Sequence, residues 1–133
     1  MNKAKIQSII DKVYPKIKAD YDLSKWNDFP NIEIHRNIYE MASGIKGMEG
    51  EDNAQANFCR DSNTIQLFQA EIRDTKHVIQ CLLHEYKHYL QSATWFKRYY
   101  AMGYDYSNHP YEVAAKAEEK NYKKYMKEFG EAK

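Results

Sequence analysis

His84-Glu85-Tyr86-Lys87-His88 sets two histidines four residues apart, with a glutamate directly after the first. On an α-helix such residues project from one face, a turn apart. Two imidazoles placed this way can share one tetrahedral zinc ion. The intervening glutamate lies on the same side, where it can take a proton from a metal-activated water. The chain has five histidines and eleven glutamates in 133 residues. At those frequencies, chance produces the pattern in roughly one or two chains per hundred, so its surroundings decide its meaning.

Working outward, Val78, Ile79, Leu82, Leu83, Tyr86 and Leu90 recur at helical spacing. They form an apolar face beside the one carrying Cys81, His84, Glu85 and His88. Asp74 or Thr75 caps this helix. It is expected to run to about Tyr100, with Gly103 as its stop. Upstream, 54–60 and 64–69 flank Asp61-Ser62-Asn63 and read as a hairpin. Asn31 to Tyr39 alternates as a strand, with Ile32, Ile34, Arg36 and Ile38 on one side. Gly44, Gly47 and Gly50 mark a loop that could cover a cleft. Ile6, Ile9, Ile10, Val13, Ile17 and Tyr21 predict an amphipathic N-terminal helix, disturbed near Pro15.

A catalytic zinc site needs a third protein ligand and one open position. An extension of the motif on the same helix would want Gly at position 91 and His at position 94; Gln91 and Thr94 exclude it. Downstream, Asp105, His109, Glu112, Glu118 and Glu119 remain. Glu112 is the best placed. Pro110 starts a last helix, capped by Asn108 or His109, and Glu112 lies in its first turn. Ala114, Ala115 and Ala117 let that helix come close to the first. Glu118 and Glu119 are expected to be solvated. His109 has a second reading as oxyanion donor, as do Tyr104, Tyr106 and Tyr111. Asp105 or Asn108 could orient a metal-bound imidazole.

The order of strand, hairpin, H-E-x-x-H helix, loop and then Glu112-Val113-Ala114-Ala115 resembles the gluzincin branch of zinc metallopeptidases. It is similar in style to compact ImmA/IrrE-type or minimal zincins, over roughly residues 54 to 120. Tyr86 and Lys87 stand where that family usually has smaller residues. The resemblance implies an α+β zincin-like fold: an N-terminal helix, a small sheet with a hairpin edge strand, a metal helix, and a C-terminal helix bearing the third ligand. It implies one catalytic Zn2+ on His84, His88 and Glu112, with Glu85 as general base and His109 and Tyr111 assisting catalysis. The implied activity is hydrolysis of peptide bonds in a protein or peptide substrate. SprT-like proteases are the second resemblance, in which His109 would replace Glu112. A non-catalytic zinc- or protein-binding module is the alternative from another class, but it gives Glu85 no role.

Composition fits one domain over 1–133, with 43% hydrophobic residues and a net charge of +1. That balance gives no electrostatic argument for nucleic acid or a membrane surface. The N-terminal segment has no apolar core of a signal peptide, and no run approaches a membrane span. The cytoplasm is the expected compartment. Cys59 and Cys81 do not make a disulfide framework and are expected to be free and buried.

Overall fold

The computed structural model describes residues 1–36 and 55–129. Helix α1 (Lys3–Tyr21) begins at Asn2, whose side chain accepts the Lys5 N–H at 2.8 Å. Ile6, Ile9, Ile10, Val13 and Ile17 are all buried on one face. The expected disturbance at Pro15 does not occur: the helix runs through it. An interior proline costs about 3 kcal/mol. Burying five branched aliphatic side chains, at about 1.5–3 kcal/mol each, outweighs that.

Strands β1 (Asn31–His35), β2 (Ala56–Cys59) and β3 (Thr64–Phe68) form a sheet in the order β1-β3-β2. β1 runs parallel to β3 and β2 antiparallel to it. All five residues of the central strand are buried. The β2–β3 turn needs a left-handed residue, and Asn63 supplies it with φ 50°. The first strand stops at His35; Ile38, Tyr39 and the loop of Gly44, Gly47 and Gly50 lie outside the described residues.

Helix α2 (Thr75–Leu90) is capped by Asp74, whose carboxylate accepts the His77 N–H at 2.9 Å. Val78, Ile79, Leu82, Leu83, Tyr86 and Tyr89 pack it against α1 and the sheet. The helix was expected to reach Tyr100 but ends ten residues earlier. Gln91 is extended, and the Ser92 side chain accepts the Trp95 N–H, starting α3 (Ala93–Ala101). Periodicity misses this break because apolar residues continue through both helices. Gly103, at φ +104°, follows the end of α3. α4 (Pro110–Glu118) has proline at its start. A single 3-10 turn separates it from α5 (Tyr122–Met126), so the expected last helix is two segments.

Buried tyrosines tie the segment after α1 to the core. The Tyr86 hydroxyl donates to the Asp22 carbonyl at 2.6 Å, and that of Tyr89 donates to Asn27 at 2.7 Å. The architecture is α+β, and no described helix is long and apolar enough to cross a membrane. Because one carboxylate fixes the start of α2, Asp74→Ala is expected to destabilise the protein by about 1 kcal/mol, and Asp74→Asn by much less. Urea unfolding followed by circular dichroism checks this; equal losses for the two variants would contradict the cap.

Candidate metal centre

Two turns of α2 and the first turn of α4 bring His84, His88 and Glu112 together. Their ligand atoms all lie within 4.8 Å of one another. Glu112 Oε1 stands 2.9 Å from His88 Nε2 and 3.5 Å from His84 Nε2. Ala115, one turn after Glu112, is fully buried, and its small side chain permits the close approach of α4.

The far nitrogen of each ring is also held. His84 Nδ1 lies 2.7 Å from Glu119 Oε2, and His88 Nδ1 lies 2.8 Å from Gln91 Oε1. Gln91 Nε2 donates to the Tyr111 carbonyl at 3.0 Å, which fixes the direction of that amide. Every nitrogen of both rings therefore faces an oxygen acceptor. A neutral imidazole has only one N–H. The set balances with extra protons, or with a cation between the two Nε2 atoms and Glu112. With the Nδ1 protons given to Glu119 and Gln91, two imidazole lone pairs and a carboxylate converge. That donor set and its outer hydrogen bonds fit a catalytic zinc site.

Electrostatics follow the same geometry. Burial alone would lower the His84 pKa, but hydrogen bonds to Glu112 and Glu119 outweigh it and lift the pKa to about 10. Burial would raise the Glu112 pKa, but the two histidines bring it down to about 2. Glu119 is lowered too, with His84 and Lys116 overcoming its burial. Glu85 goes the other way: burial raises its pKa, and the neighbouring histidines offset this only in part.

A cleft of about 350 Å³ opens over these groups. His84, Glu85, His88 and Glu112 border it, with Asn57, Phe58 and Arg60 from the hairpin. Phe96, Tyr100 and Tyr106 add an aromatic side. The Arg60 guanidinium donates to the His88 and Gln91 carbonyls at 3.0 and 3.2 Å. It thus satisfies the C-terminal end of α2 and ties the hairpin to it.

Other sequence-derived candidates fall elsewhere. His109 is fully buried; its Nε2 donates to the Phe96 carbonyl at 2.8 Å and its Nδ1 accepts the Tyr111 N–H at 3.1 Å. Both nitrogens are spent on capping α4 and holding α3, so His109 is neither third ligand nor oxyanion donor in this structure. Tyr111 packs on Phe96 and Tyr99 and does not border the cleft. Tyr104 is exposed and packs on Tyr99. Of the expected phenol donors, only Tyr106 borders the cleft. Asp105 and Asn108 bond to each other's backbone in an exposed loop rather than to an imidazole. Glu118 accepts from Asn121.

Glu119 was expected in solvent, yet it holds His84. Its spacing of seven from Glu112 is the signal that could have found it, because two helical turns return to the same face. Gln91 lies past the end of α2 in extended backbone, so helical spacing does not point to it. Nothing in the sequence pointed to Arg60. Cys81 is buried and free, with burial raising its thiol pKa; Cys59 is half-buried and also free.

No protein-family model, no curated protein and no solved structure matches this chain.

The geometry predicts one zinc per chain, lost in His84→Ala, His88→Ala or Glu112→Ala. Glu119→Ala and Gln91→Ala should keep the stoichiometry and weaken affinity about 10–100-fold. Competition with a chromophoric chelator measures both effects. In the metal-free protein His84 is protonated at neutral pH, since its pKa is about 10. Zinc added at pH 7 should therefore release protons, and apparent affinity should rise as pH increases toward 10. Affinity independent of pH over that range would contradict the arrangement.

Proposed function

We propose that this chain is a zinc-dependent metallopeptidase with a zincin-like, gluzincin-type site, acting on a protein or peptide substrate. The observation that carries the reading is the convergence of His84 Nε2, His88 Nε2 and the Glu112 carboxylate beside Glu85 in one cleft. His84, His88 and Glu112 would hold the ion. A zinc ion there supplies Lewis-acid polarisation of the scissile carbonyl and makes a water acidic enough to attack at neutral pH.

The protein's own groups do the rest. The Glu85 carboxylate is raised by burial, which brings its basicity closer to working pH than that of an exposed glutamate. It takes a proton from the attacking water and passes it to the leaving amine, ending as it began. Glu119 and Gln91 keep both histidines in the tautomer that presents Nε2 to the ion. The Tyr106 phenol, on the border of the cleft, is the donor we assign to the developing oxyanion. β2 is an outer strand of the described sheet and borders the cleft, so an extended peptide can lie along it. The burial of His109 removes the support for a three-histidine site of the SprT kind. We read the cytoplasm as the compartment, where two unpaired cysteines stay reduced.

Glu85→Gln tests the chemistry apart from the metal. The variant should retain one zinc and lose about 10²–10⁴-fold in peptide hydrolysis. A quenched-fluorescent peptide library, assayed before and after chelation and zinc restoration, reads the loss. Full activity in a zinc-loaded Glu85→Gln protein would rule out the mechanism.

A further inference from the structure

A second groove, of about 490 Å³, lies between the segment after α1, the C-terminal turn of α2 and the start of α4. None of its lining residues borders the metal cleft. Its apolar surface comes from Leu23, Trp26, Leu90 and Tyr111. Leu23 is 47% exposed and Trp26 58%, high values for large apolar side chains that line one groove. Lys25 and Lys87 supply the charge, and no acidic residue lines the groove. Neither lysine is paired with a carboxylate among the described residues.

We infer that this groove docks an acidic segment of a partner protein, in which carboxylates alternate with large apolar side chains. Ammonium and indole groups are donors only, so the occupant must bring acceptors. Two cations beside apolar surface call for two anions with an apolar group close by. The lysines stand on separate elements, one on the segment after α1 and one on α2, which suits carboxylates spaced along an extended chain. A second copy of this chain is a poor fit: a two-fold contact through this face would bring the lysines no carboxylate, since none lines the groove. Tryptophan and tyrosine are the kind of side chain on which a few anchors dominate affinity. The inference stands apart from the metal site, and its test does not depend on hydrolysis.

The probe is a phage-displayed library of random 12-residue peptides panned against the full chain carrying Glu85→Gln, so that no peptide is consumed. Recovered peptides should be enriched in Asp and Glu next to Leu, Phe or Trp. Synthetic versions should shift the emission of Trp26, read alone in a Trp95→Phe background, since the chain has two tryptophans. Lys25→Glu/Lys87→Glu should weaken them about tenfold or more, with an unchanged melting temperature. Trp26→Ala, which leaves the charges in place, should weaken them as well. The inference is overturned if panning yields no saturable binder. It is also overturned if the recovered peptides lack acidic residues or bind the double variant equally well. Two further results would assign the groove to another occupant: dodecanoate shifting Trp26 where peptides do not, or self-association of the chain that the double variant abolishes.

Discussion

One carboxylate set against two imidazoles organises this molecule. Glu112 reaches from α4 to His84 and His88 on α2, and Ala115 lets the two helices come close enough for it to do so. Taking these groups out of water is costly unless each finds partners. Glu119, Gln91 and the Arg60 guanidinium complete the arrangement from three other segments. Polar atoms are thereby fixed along an axis where helices could otherwise slide. The remainder of the fold, an isoleucine-faced helix and a three-stranded sheet, supplies the apolar mass that holds α2 in place.

The opposite treatment of neighbouring carboxylates gives the site its chemical asymmetry. Glu112 and Glu119 face imidazoles, which hold both carboxyls below the usual carboxylate range. Glu85, one residue from His84, is pushed toward a higher pKa because burial dominates its surroundings. Two carboxylates separated in this way suit ligand and base respectively. Phe58, Phe96, Tyr100 and Tyr106 give the cleft border an aromatic side, with Asn57 and Arg60 as polar groups beside it.

Much of this could be read from residue spacing. The i, i+4 histidines, the isoleucine stripe of α1, the hairpin turn at Asn63 and the proline that starts α4 are local signals, and each appears where its spacing put it. Glu112 was legible because helix start and small-residue spacing act together. What escaped was tertiary. The break at Gln91 is invisible to periodicity, since its cause is a side chain captured by His88 and Tyr111 from different elements. His109 has the chemistry of a ligand, but whether a histidine coordinates or caps depends on which way it faces. Glu119 looked like one more charge on a lysine-rich helix, and only its distance to His84 shows otherwise.

Two imidazoles and one carboxylate, and no thiolate, are the donors that converge here. X-ray absorption at the zinc edge of the purified chain tests this most directly. The expected result is nitrogen and oxygen neighbours at about 2.0–2.2 Å with multiple scattering from two imidazoles. A sulfur shell at about 2.3 Å, which would bring Cys81 or Cys59 to the metal, or protein unable to take up zinc at all, would contradict it.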